Sequence, residues 1–233
     1  MNYSTISKEY RGLDEGLPPV TQRTGNFFYG NYLFLLDELS DEKTYYAIAD
    51  LTKYVTEDFT GDRTLNIFIN SSGGSVMLMN TIIGLINMAK LKGIKVYTYV
   101  FGIAASAASV IGVLGDRRVM SLNGMHFVHF GTIPQYLTKI TEIEKSSKFV
   151  TKLQQQAEDI YLSCCSNLTH EKYLKLIEDE MGYITAEDCL KLGFCDEIVE
   201  HNLFDMYKEL EEQNNVLEEA LKLVKKNKKA RKK

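Results

Sequence analysis

The chain carries little that would staple it, anchor it or export it. Four cysteines occur in 233 residues, at Cys164, Cys165, Cys189 and Cys195, and none forms a Cys-x-x-Cys pair. Adjacent Cys164 and Cys165 make a poor disulfide framework, so the four read as reduced core thiols of a cytosol-like compartment, neither bridges nor zinc ligands. The first residues lack a basic start followed by an apolar core, so no secretory signal is visible, and they are too acidic for a typical transit peptide. The longest mostly apolar passage, Val96 to Leu114, is interrupted by Ser, Gly and Thr and has no flanking anchors, so it reads as a buried strand and helix, not a membrane span. No internal repeat is visible. Positive charge is missing from the body of the chain: residues 222–233 hold eight Lys or Arg and no acid, and taking these from the net charge of −4 leaves −12 on the rest. An acidic body argues against a general nucleic-acid surface, and the basic end reads as a solubilising tail. What remains is a soluble, cytoplasmic protein large enough to build its core without metal or disulfide.

Residues 1–25 are polar, with Gly12, Gly16 and the Pro18-Pro19 pair, and form a flexible N-terminal segment. From Asn31 an apolar run, Tyr-Leu-Phe-Leu-Leu, suits a buried strand, and Glu38 to Phe59 carries helical spacing. Leu65 to Ile69 is a second strand and ends in the turn Asn70-Ser-Ser-Gly73-Gly74. Further elements are a helix over Met77 to Lys90, a strand over Val96 to Phe101, a small-residue helix over Gly102 to Leu114, and strands at Arg118 to Met120 and Met125 to His129. This is the order of an α/β domain with parallel crossovers, in which active residues gather at strand C-termini. A long helix over Thr138 to Cys165 follows, then helices opened by Thr169 and by Thr185, the latter closed by Gly193. Asn202 to Val224 is a last, charged amphipathic helix.

Ser106 stands among Ala104, Ala105, Ala107 and Ala108, and histidines follow at His126 and His129. A serine hydroxyl needs a base to become a nucleophile, and a carboxylate behind the histidine fixes its tautomer. At the start of a helix, Ser106 would leave the Ala107 amide free for a developing oxyanion. Gly73 and Gly74 can offer a second amide without a side chain in the way. On a strand, residues three apart point to opposite faces, so one histidine of the pair can look into the site. Spacing does not choose between them. The same opposition excludes the pair as metal ligands, and no third ligand lies nearby.

Taken in order, Ile69 to Val76, Gly102 to Ser109, Phe127-Val-His129 and Thr185-Ala-Glu-Asp with Leu192-Gly-Phe-Cys-Asp196 resemble the Clp protease proteolytic subunit family over roughly residues 31–200. The family's pieces are Asn-Ser-Pro-Gly-Gly, Gly-x-Ala-Ala-Ser, Met-Ile-His and Ser-Ala-x-Glu-Ala followed by Gly-x-x-Asp. The resemblance implies an α/β fold, a crotonase/ClpP-like β-α spiral head with a helical handle, over residues 26–202. Residues 203–233 then form the charged C-terminal helix and basic tail. It implies a serine endopeptidase with Ser106 as nucleophile, His129 as base and Gly74 and Ala107 as oxyanion-hole amides; His126 is then structural. It further implies unfolded polypeptide substrates, an AAA+ ATPase unfoldase, a homo-oligomer of stacked heptameric rings, and no cofactor, metal, nucleic acid or membrane. The chain departs from the pattern at Ser72, where the family has proline, and over Phe130 to Pro134. It departs again at the acid: the family's Asp slot holds Met181, and reading Gly182 as an insertion brings Glu180 into the role, with Asp179 next. A non-catalytic ring subunit and a phage-type relative that trims capsid or scaffold proteins are the alternative readings. A crotonase-like acyl-CoA enzyme shares the architecture but has no need of the Ser106 and His129 pair.

Overall fold

The computed structural model describes residues 25–129, 140–178 and 182–199. Strands β1 (Phe27–Tyr29) and β2 (Tyr32–Leu35) form an antiparallel hairpin, and β2 then pairs in parallel with β3 (Thr64–Ser71). Helix α1 (Asp41–Thr56) connects β2 to β3; Asp41 and Glu42 in its first turn complement the helix dipole. Its buried residues Thr44, Ala47, Leu51 and Val55 keep helical spacing. Helix α2 (Val76–Leu91) is capped by Ser75, whose hydroxyl accepts from the Leu78 amide, and buries Met79, Ile82, Leu85, Ile86 and Ala89. Both helices cover one face of the sheet, against Leu33, Leu35, Leu65, Ile67 and Ile69. Each such aliphatic side chain contributes about 1.5–3 kcal/mol on burial. The alternate residues of the same strands build a column of half-buried rings on the other face, with Phe34 on Phe68 at 5.4 Å, and Tyr99 of the next strand continues it at 4.6 Å from Phe68.

Strand β4 (Lys95–Ala105) is where the sheet divides. Its first half, Tyr97 to Val100, pairs with β5 (Arg117–Ser121), while its end, Ile103 to Ala105, pairs in parallel with β6 (Met125–Phe127). The sequence predicts a helix from Gly102, but Gly102 to Ala105 remain in the strand and only Ala107–Gly112 is helical, as α3. Tertiary pairing decides this against local composition. Between the pairs Ile69–Val100 and Ser71–Ala104, β4 sets three residues, Phe101 to Ile103, against the single Asn70 of β3; Asn70 Oδ1 accepts from the Ile103 amide at 3.1 Å, and β6 holds the other edge.

Helix α4 (Ile140–Cys164) is followed by α5 (His170–Glu178), β7 (Tyr183–Thr185), α6 (Ala186–Leu192) and β8 (Glu197–Val199). β7 pairs antiparallel with β6, and β8 closes the sheet beside β5. Thr185 caps α6 and Gly193 ends it at φ 84°, as the sequence predicts; β1, β7 and β8 are additions to that reading. Cys165, Cys189 and Cys195 are buried and unbridged, and burial pushes the Cys165 thiol up to about 12. Among the described residues no helix is long and apolar enough to cross a membrane. The N-terminal segment up to residue 24, the 202–224 helix, the basic tail and the Phe130 to Pro134 departure lie outside the described residues.

Candidate active site

Ser106 sits on the turn between β4 and α3, at φ 51° and ψ −123°, the one positive-φ residue other than glycine among the described residues. Such a conformation costs about 1–3 kcal/mol, and strained strand-to-helix turns of this kind present a nucleophilic hydroxyl in hydrolases. The Ser106 amide donates to the Phe127 carbonyl at 2.8 Å, so the β4–β6 ladder runs into the turn. That parallel register closes the 23-residue gap between Ser106 and His129. Ala107 opens α3, so its amide has no intrahelical acceptor.

The two histidines separate: His126 lies on β6, which ends at Phe127, and His129 stands two residues beyond that end. His126 points into the core with 1% exposure, while His129 is half-buried and stacks on Phe127 at 5.2 Å; Phe127 packs at a tilt on its cross-strand partner Tyr183 at 4.6 Å. A ring column therefore holds the His129 imidazole from behind. Complete burial, helped by the Arg118 charge, pulls His126 down to about 3, so it stays neutral. Its Nδ1 shares a hydrogen bond with Ser109 Oγ at 2.8 Å, and Ser109 also bonds the Tyr161 hydroxyl. The relay Tyr161–Ser109–His126 links α4, α3 and β6 inside the core. Nothing in the sequence spacing announced it, although Gly112 is the small residue that the ring requires: a Cβ there would lie 2.9 Å from His126 Cε1.

The glycine turn packs directly on the Ser106 turn. A Cβ on Gly73 would fall 2.9 Å from both the Ala107 nitrogen and Ser106 Cβ, and Gly73 and Gly74 adopt φ 88° and 132°. Both positions therefore require glycine. Ser106, Ala107, Gly74 and His129 line a single cavity of about 200 Å³. Its walls are apolar, with Val76 and Met79 from α2, Val110 from α3 and Leu153 from α4. Four of the five expected site residues are thus brought together. The fifth, Glu180, lies outside the described residues together with Asp179 and Met181; the described chain resumes at Gly182, whose carbonyl accepts from the Val128 amide at 3.2 Å, one residue before His129. Among the described residues no cluster of three or more His, Cys, Asp or Glu could hold a metal ion.

A divided α/β sheet, with a serine on a strained strand-to-helix turn and a histidine just past the end of the neighbouring strand, defines the ClpP-like class. The match to the Clp protease family model runs over residues 20–202, and the chain belongs to that family. It is 31% identical over 175 residues to the ATP-dependent Clp protease proteolytic subunit of Streptococcus mutans, covering 73% of this chain and 85% of that one. To the ATP-dependent Clp protease proteolytic subunit 1 of Bifidobacterium longum it is 29% identical over 176 residues, covering 75% and 72%. Among solved structures, a point mutant of ClpP1 from Listeria monocytogenes superposes with a TM-score of 0.59 at 22% identity, over 74% of this chain and 92% of the other, a likeness of fold.

Proposed function

We propose that the chain is a serine endopeptidase of the Clp type, cutting unfolded polypeptides inside an oligomeric chamber in the cytoplasm. The observation that carries this reading is the convergence of Ser106, His129, Gly74 and Ala107 on one cavity. In the proposed reaction His129 takes the Ser106 proton as Oγ attacks the scissile carbonyl, and the Gly74 and Ala107 amides receive the oxyanion. His129 then protonates the leaving amine, and water releases the acyl group by the reverse path. Glu180 is proposed to orient His129, supported by the approach of the chain at Gly182 to Val128. The apolar walls suit an aliphatic or aromatic side chain ahead of the cut bond. No metal or nucleotide takes part in these steps.

The ring assembly and AAA+ unfoldase belong to the same proposal. Ile140, Ile143 and Phe149 on α4 are exposed and support pairing of copies through that helix. Residues 26–202 are proposed as the peptidase domain, with 203–233 appended. Fluorophosphonate labelling tests the chemistry: the wild-type chain should label, and Ser106→Ala should not. Labelling that persists in Ser106→Ala sinks the assignment, and a wild-type chain that neither labels nor hydrolyses short peptides is a non-catalytic ring subunit.

A further inference from the structure

The oxyanion turn does not hold itself. Gly73 and Gly74 both have positive φ and no side chain to resist rotation of the peptide between them. Its orientation is set from outside: the Leu39 amide donates to the Gly73 carbonyl at 2.7 Å, and the Ser75 amide donates to the Leu39 carbonyl at 2.8 Å. Across a trans peptide the carbonyl and the following N–H point in opposite directions. The Leu39 bond therefore turns the Gly74 N–H away from Leu39, on a turn whose other side packs against Ser106.

Leu39 is in turn held by Asn26. This side chain is 5% exposed and fully bonded: Oδ1 accepts from the Leu36 and Asp37 amides at 3.0 and 3.1 Å, and Nδ2 donates to the Glu38 carbonyl at 3.0 Å and Thr44 Oγ1 at 2.9 Å. Ser71 grips the same segment from the opposite side. Its hydroxyl donates to the Asp37 carbonyl at 2.5 Å and accepts from the Gly73 amide at 3.2 Å.

We propose that Asn26 is a positioning residue for the reaction: it fixes segment 36–39 so that Leu39 keeps the Gly74 N–H aimed at the Ser106 side of the cavity. This rests on the reading of Gly74 as an oxyanion donor. The effect belongs to the transition state, where the oxyanion forms, so kcat should fall while KM holds.

The test uses the full chain with Asn26→Ala and Asn26→Asp, the latter keeping the shape but losing both donors. Asn31→Ala is the control, since Asn31 bonds Thr64 at the far end of β2 and leaves the turn alone. Below all melting transitions, Asn26 variants should lose about tenfold or more in kcat on a fluorogenic peptide, with KM within about twofold, a part of the loss known for deleting one oxyanion donor. Amide hydrogen exchange over residues 71–76 should quicken by about tenfold in the same variants, because local opening there is no longer opposed. Asn31→Ala should do neither. Folded Asn26 variants with unchanged kcat, or an Asn31→Ala that loses kcat in parallel, overturn the proposal. Should Asn26→Ala fail to fold, Ser71→Ala removes the opposite grip and is read the same way. A wild-type chain that neither labels with fluorophosphonate nor cuts peptide overturns the peptidase reading itself; the exchange contrast then decides the Asn26 grip on the turn alone.

Discussion

Ser106 holds a backbone conformation that glycine would adopt without strain. In Ser106→Ala the strain remains, whereas Ser106→Gly relieves about 1–3 kcal/mol of it against about 0.5–1 kcal/mol of added chain entropy. The glycine variant should therefore be the more stable of the two by about 1 kcal/mol in urea denaturation; an alanine variant of equal or greater stability would show that the turn stores no strain. His126 makes a second prediction at this scale. Burial holds its folded value at about 3 against an ordinary 6.5, so the unfolded chain binds a proton that the folded chain refuses across that window. The stability that comes from keeping the ring neutral is whole above pH 6.5 and is lost progressively as pH falls toward 3, by up to about 1.4 kcal/mol per unit. His126→Gln should cost about 1–3 kcal/mol at neutral pH, through the bond to Ser109, and should flatten the loss between pH 6 and 4. An unchanged slope would show that other groups carry the acid sensitivity.

At the scale of elements, the helices were readable because their caps and apolar faces are local: Thr185 and Gly193 mark ends that the structure keeps. Gly102 to Ala105 misled because small residues fit a helix equally well, and only the distant partners Asn70 and β6 hold them extended. The histidine choice illustrates the same limit. Alternation told that one ring faces the core, but which one depends on Ser109, Gly112 and Tyr161, contributed by two other elements. β8 was hidden for a related reason, since three residues carry no periodicity and owe their place to Arg118. That guanidinium donates to the Cys164 carbonyl at 2.7 Å, the Gly193 carbonyl at 2.6 Å and the Asp196 carboxylate, clasping the ends of α4 and α6 and the start of β8 to β5. Lysine has the charge but not the fork. Arg118→Lys should cost about 2–4 kcal/mol, several charge-assisted bonds being lost together, and should raise hydrogen exchange in α6 and β8 before β3 and β4. Uniform loosening of all four would mean that the clasp is not local.

For the whole molecule, α4 sets the terms. Of its described 25 residues only Glu158 and Tyr161 are buried, both near its C-terminal end, where Glu158 pairs with His170 and Gln154 with Tyr173 of α5. There its apolar stripe also walls the cavity through Val150, Leu153 and Ala157. Toward the N-terminal end the stripe carries on at Ile143, with Phe149 beside it, 39% and 55% exposed. Helical propensity alone does not sustain such an arm in water; packing of an apolar face does. A second copy of the helix supplies that packing in the proposed ring pair, and the same helix then couples assembly to the substrate cavity. Ile143→Asp with Phe149→Asp changes exposed positions, for which the folding cost within one chain is small, about 0.5 kcal/mol each. Light scattering after size exclusion should show the double variant at a lower mass than wild type, with its core melting little changed. Peptide hydrolysis should fall with the mass, because Leu153 and Val150 lose their support, while Ser106 in the dissociated protein should label more slowly with fluorophosphonate. A double variant of unchanged mass would remove α4 from the assembly, and one that dissociates with full hydrolysis would separate assembly from the cavity.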